Sequence, residues 1–399
     1  MFSNLGVTNL AVENITKAYN LRDRVSEREK YDISSQYFAE VTGDLEKALQ
    51  TYDAWVRLYP SDAAPRHNRA NIYEAFGQYE KASEGYRESI RMQPEFLYSH
   101  TNLANCFIAL NRLEDARSAI GALKEYKLDP ELGWAPLYKI AFLKNDSTEM
   151  ERLLHEAVDR PGAEDDVLSI RADTEAYYGR LKRARNLWRR LVELEMRAGS
   201  RELAATSVAE AALKDAEFGN SALAKQGAST SLSMYSGQGV HMTVALTLAG
   251  AGDVTGAKLM STKLEQRNPL NTIQNRYWLP TIKAVIKLKE GNPSEAVALL
   301  ETTRGVETRV CRSVVSALRA RPSLSSRTPM HRSRRRVPEN PRPSWDGAEL
   351  AYRRTGASRS RTRVRIKGRR RQGEGGLSRF LHALERRRPR HPHSHSCQG

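Results

Sequence analysis

Gly77-Gln78-Tyr79-Glu80-Lys81-Ala82 follows Gly43-Asp44-Leu45-Glu46-Lys47-Ala48 at a distance of 34 positions, and this pairing decides the fold. The same offset joins Tyr52 to Tyr86 and Pro60 to Pro94. One further step takes Ala70 to Ala104, Tyr73 to Phe107, Gly77 to Asn111, Ala82 to Ala116 and Tyr86 to Ile120. Coincidence at so many positions of one period marks internal repeats rather than chance.

Each unit has a mechanical reading. Two helical stretches of about a dozen residues flank a turn at Gly or Asn, residues that reach positive φ at little cost. The small residue five places after the turn lets the two helices approach closely. The aromatic or aliphatic residue nine places after it fills the space between them. Proline then ends the second helix, which it cannot continue.

Further along the chain the spacing loosens while the signature persists. Gly179 is followed by Ala184, Trp188 and Leu191, Gly219 by Ala224 and Ala228, Gly252 by Ala257 and Leu264, and Gly291 by Ala296 and Leu300. Gly6, Ala11, Ile15 and Ala18 fit the second half of a unit whose first helix is missing. Between Pro130 and Gly162 a degenerate pair keeps the helical pattern without a glycine turn. The reading is all-α: an α-solenoid of about eight antiparallel helix pairs over residues 1–303, the first incomplete.

The unit Asn68-x-Ala70-x-x-Tyr73-x-x-x-Gly77-x-Tyr79-x-x-Ala82-x-x-x-Tyr86, closed by Pro94, resembles a tetratricopeptide repeat. Two stretches resemble more narrowly the repeat region of bacterial eukaryotic-like serine/threonine kinases. They are Leu21-Arg22-Asp23-Arg24-Val25-Ser26-Glu27-Arg28-Glu29 and Val41-Thr42-Gly43-Asp44-Leu45-Glu46-Lys47-Ala48. The resemblance implies a non-catalytic scaffold for a protein or peptide partner, or a regulatory fragment detached from such a kinase. The kinase machinery itself is missing from the sequence. No Gly-rich loop, His-Arg-Asp or Asp-Phe-Gly motif is present, so nothing would hold magnesium or a phosphate. No enzyme activity and no cofactor are expected. His67, His100, His155 and His241 are scattered and lack a partner at a catalytic spacing. Glu164, Asp165 and Asp166 read as a solvated loop run after Pro161-Gly162.

The net charge is +17, but it is unevenly placed. Twenty-six Lys and Arg and six acidic residues lie from Arg304 onward, leaving residues 1–303 at −3. That last quarter holds 25 arginines and one lysine, Lys367. Its composition is that of a disordered, low-complexity tail, and three readings stay open. It is a basic arm that binds nucleic acid through phosphates, a localisation or membrane-surface patch, or an out-of-frame translation of GC-rich DNA. The run His391-x-His393-x-His395-x-Cys397 offers metal ligands without fixed geometry, so no metal site is expected. No signal segment and no apolar run long enough to span a bilayer is present, which points to a cytoplasmic protein. Met1 falls inside a repeat, so the chain is expected to be a piece of something longer.

In a solenoid of helix pairs the first helices line the concave surface, where side chains are free of packing duty. His67, Asn68 and Asn71 fall on one turn of that face, and Thr101, Asn102 and Asn105 follow at the matching offset of 34. Asparagine both donates and accepts, so stacked asparagines can grip an extended peptide backbone. These six are the expected peptide groove. The competing reading has the asparagines bonding to neighbouring helices and fixing their packing.

Overall fold

Why the chain turns where it does is visible at its backbone. The computed structural model describes residues 8–128, 133–160 and 162–303. Within them a positive-φ residue ends the first helix of each pair: Gly43, Gly77, Asn111, Asn145, Gly179, Gly219, Gly252 and Gly291, with φ between 55° and 83°. Except after Gly43, where the Asp44 N–H donates to Thr42 Oγ1, the residue after the turn sends its N–H back to a carbonyl five places earlier. Gln78 bonds Tyr73, Arg112 bonds Phe107, Asp146 bonds Ala141 and Arg180 bonds Glu175, all at 2.8–2.9 Å. This is the Schellman closure, which satisfies carbonyls that a helix end would otherwise leave bare. Asn145 supplies the turn of the degenerate pair, 34 residues after Asn111 and 34 before Gly179. That pair is therefore in register, and only its side chain at the turn departs from the pattern.

The helices follow in order. A lone α1 (Thr8–Asn20) and a short 3₁₀ turn (Arg22–Arg24) lead into α2 (Glu27–Gln36), whose first turn is closed by a Ser26–Glu29 capping box. The pairs are then α2 with α3 (Leu45–Leu58), α4 (Ala64–Ala75) with α5 (Tyr79–Met92), and α6 (Leu97–Ala109) with α7 (Leu113–Glu125). Next come α8 (Trp134–Leu143) with α9 (Ser147–Val158), and α10 (Glu164–Tyr177) with α11 (Leu181–Arg197). The last three are α12 (Arg201–Glu217) with α13 (Ser221–Met234), α14 (Gln238–Gly250) with α15 (Val254–Arg267), and α16 (Leu279–Lys289) with α17 (Pro293–Glu301). Glu164, Asp165 and Asp166 form the first turn of α10 instead of a loop. Their charges suit the partial positive charge of a helix start.

Packing follows the repeat signature. Ala48, Ala82, Ala116, Ala184, Ala224, Ala257 and Ala296, each five after its turn, are buried, and Met150 takes the same place in the pair of α8 and α9. The residues nine after the turn, including Tyr52, Tyr86, Ile120, Leu154, Trp188 and Leu300, are buried as well. Burying a side chain of that size is worth about 1.5–3 kcal/mol. Some helix pairs approach until only glycine fits: a Cβ on Gly85 would stand 2.9 Å from that of Ala70.

The array comes round on itself. Thr272 N–H donates to the Gly43 carbonyl at 2.9 Å, and Leu45 N–H donates to Thr272 Oγ1 at 3.1 Å. Arg276 pairs with Glu46 beside them. One hydrophobic cluster holds Tyr52, Trp55 and Phe76 from the start of the array together with Leu246, Tyr277 and Ile282 from its end. Both approaches to this seam are wound as π-helix, at Tyr37–Thr42 and at Gln274–Trp278. A solenoid repeat ordinarily touches only its sequence neighbours. Here the first and last pairs are also neighbours.

Among the described residues no helix is long and apolar enough to cross a membrane. The expectations for residues 304–399, among them the nucleic-acid arm, the out-of-frame reading and the His391–Cys397 run, lie outside the described residues, as does Gly6.

Candidate functional site

The asparagines picked out by the repeat lie on the first helices of two successive pairs, α4 and α6. Asn71 is exposed, and its Oδ1 accepts from Asn102 Nδ2 at 3.2 Å across the gap between those helices. The same oxygen accepts from the Tyr86 hydroxyl at 2.6 Å, and that hydroxyl also reaches Glu74 at 2.8 Å. Burial, reinforced by the charge of Glu74, pushes the Tyr86 hydroxyl well above the usual tyrosine range, so it stays a neutral donor. Asn68 stands in the same relation to Tyr52 that Asn102 has to Tyr86. Each partly exposed asparagine lies beside the buried tyrosine of the preceding pair. Asn105 Oδ1 accepts from Lys139 of α8 at 3.5 Å, which carries the polar track one pair further.

The six expected groove residues therefore divide. Asn68, Asn71, Asn102 and Asn105 come together as a polar row, and Asn71, Asn102 and Asn105 use part of their hydrogen-bonding capacity between helices. Thr101 sits at its edge, its hydroxyl bonded to the Tyr98 carbonyl at 3.2 Å. His67 does not join them. It is 6% exposed, with Nδ1 2.9 Å from Ser99 Oγ and its ring edge-on to Phe96 at 4.7 Å. Burial lowers its pKa to about 4, so it is a neutral core imidazole. Its offset of 34 from Thr101 fixed its place along the helix but not the direction its ring takes.

Sequence reasoning missed a group of carboxylates further along the array. Asp173 of α10 and Glu210 of α12 are exposed, and the charge of each acts on the other or on shared neighbours. Desolvation by the surrounding protein raises the pKa of Glu210 to about 7, and Asp173 and Lys214 act on it as well. Asp173 is raised by the same crowding, with Lys214 opposing. Glu195 of α11 is 8% exposed, with Oε1 bonded to Ser207 at 3.0 Å and Oε2 without a partner. Burial raises it, too, to about 7. No motif announces these carboxylates. The step from Gly179 to Gly219 is 40 residues, because α11 and α12 have 17 residues each, and the offset of 34 fails there.

Residues 67–130 match the tetratricopeptide repeat family. No curated protein sequence matches the chain. Solved structures that resemble it include a tetratricopeptide repeat protein from Parabacteroides merdae, 14% identical, with a TM-score of 0.33 over 73% of this chain and 96% of that one. The APC/C hetero-tetramer Cut9-Hcn1 is 11% identical, with a TM-score of 0.38 over 75% of this chain and 58% of that one. The fold is a tetratricopeptide-type helical solenoid, an architecture that generally serves as a protein–protein interaction scaffold.

Proposed function

We propose that the solenoid binds an extended segment of a protein partner along the face formed by the first helices of its successive pairs. The observation that carries this reading is the row Asn68–Asn71–Asn102–Asn105. Among the described residues Asn71 Nδ2 has no hydrogen-bond acceptor, and Asn71 is open to solvent. An unpaired amide donor beside an accepting carbonyl suits a peptide backbone, which presents both groups in alternation. The bonds to Tyr86 and Lys139 hold the row in place, and a held row loses less entropy when a ligand arrives.

The test is Asn71→Ala combined with Asn105→Ala in the full chain, followed by capture of partners and titration of whichever partner is captured. Affinity should fall by about tenfold, equivalent to about 1.4 kcal/mol. Helicity by circular dichroism should not change. Unchanged affinity would remove the groove.

Kinase linkage rests on two stretches whose residues have local duties in this fold. Ser26 and Glu29 make the capping box of α2, Gly43 takes φ 67°, and Asp44 caps α3 by accepting from Lys47 N–H at 3.0 Å. These duties account for the motif without a catalytic domain, so the scaffold reading takes precedence over the detached regulator.

A further inference from the structure

At the ends of α8 and α10 an aromatic surface faces solvent. Tyr177 is 71% exposed, Leu143 52% and Tyr178 42%. The Phe142 and Tyr177 rings meet edge to face at 4.9 Å, and Tyr177 and Tyr178 do so at 5.3 Å. Edge-on neighbours fix the Tyr177 ring while leaving a face of it uncovered. One helical turn before Tyr177, on the same side of α10, stands Asp173, and Glu210 of α12 contributes a second carboxylate.

The protein itself shows what such an arrangement takes. Tyr178 and Glu175, three residues apart, hold Arg180. Its guanidinium lies 4.7 Å from the ring centroid, and its Nε and Nη2 bond the carboxylate at 2.5 and 2.9 Å. Tyr177 and Asp173, four residues apart, present the same two groups. Among the described residues no cation lies over Tyr177 and none forms an ion pair with Asp173. Lys214 is near enough to act on Asp173 and Glu210, but its ammonium is paired with Glu217 at 3.1 Å. An aromatic face beside the Asp173 carboxylate, which has no ion pair among the described residues, favours a cation twice over, through the ring quadrupole and through charge.

We infer that the partner segment is basic: an Arg or Lys side chain of it lies on the Tyr177 ring with its charge against Asp173 and Glu210. This rests on the concave-face reading above and names the chemistry of its ligand. Arginine fits better than lysine, because a planar guanidinium stacks and forks at once, as Arg180 does.

The experiment uses the full chain and a fluorescent Gly/Ser peptide bearing a few arginines, with citrulline and glutamate versions as controls. Citrulline keeps the shape of arginine and removes its charge. The arginine peptide should bind about tenfold more tightly than the citrulline one. Asp173→Asn with Glu210→Gln should abolish that preference. Tyr177→Ala should weaken arginine binding about three- to tenfold, and Tyr177→Phe should restore it. Equal binding of the arginine and citrulline peptides overturns this inference and leaves the concave-face reading to its own test at Asn71 and Asn105. Binding of none of the three peptides also overturns it. Arginine-peptide binding that appears only after the clusters at 334–336, 369–371 and 386–388 are replaced by serine would assign the surface to this chain's own basic residues, and would overturn an external partner.

Discussion

Glu195 shows how a single residue sets a pH dependence. Its carboxyl, 8% exposed with one oxygen unpartnered, has a folded pKa of about 7 against 4.5 for the free group. The folded state therefore holds a proton that the unfolded state has released, throughout the interval between those values. Stability is greatest below the unfolded value and is lost as pH rises through the folded one. Glu195→Gln removes the titration and keeps the bond from Ser207. In urea titrations the variant should match the parent near pH 4.5 and exceed it by about 3 kcal/mol at pH 8. A parent whose stability does not fall across that range, relative to Glu195→Gln, would remove the assignment. Little of this was legible in the sequence, where Glu195 is one glutamate in an amphipathic helix. His67 teaches the same lesson in reverse. The repeat located it, but its burial depends on Phe96 and Ser99 of the next helix pair.

Turns are the elements that the sequence described best, because the chemistry of a positive φ is local. Gly43, Gly77, Gly179, Gly219, Gly252 and Gly291 were readable as turns directly. Asn145 escaped notice because asparagine is a weaker marker, although it sits on the period. Gly43 differs from the other turn glycines in what surrounds it. A Cβ there would meet the Asn271 side chain at 2.2 Å, whereas one on Gly179 would meet nothing within 4 Å. Gly179→Ala should therefore cost about 1 kcal/mol, the price of left-handed backbone alone. Gly43→Ala should cost more than that, because Asn271 must also move. Equal losses in chemical denaturation would show that the seam gives way freely. The π-helical windings beside the seam, by contrast, have no signature in the local sequence.

Across the whole molecule, the offset of 34 made the solenoid legible but could not reveal that its two ends meet. The bonds at the seam join residues 227 and 230 apart, and no periodic pattern specifies so distant a pairing. The same limit hid the acidic and aromatic surface of α10 and α12, which arises from helix lengths and stacking. In an open array the terminal pairs fray first, since each lacks a neighbour on one side. Here α3 and α16 should exchange amide hydrogens about as slowly as α6 and α7. Rapid exchange confined to the two ends would mean that the seam contributes little. Arg276→Glu alone should change global stability by less than about 1 kcal/mol, because the Arg276–Glu46 pair is half exposed.

Joining the ends also changes the order in which the chain can assemble. Local helix pairs can form from anywhere along the sequence, but the bonds between Gly43, Leu45 and Thr272 wait until the intervening residues are in place. Synthesised from its N-terminus, the chain holds Tyr52, Trp55 and Phe76 without their distant companions until Tyr277 and Ile282 emerge. An apolar surface is left uncovered during that interval. A nascent chain halted before residue 271 should consequently bind a hydrophobic dye, or a chaperone, more strongly than one carried through residue 303.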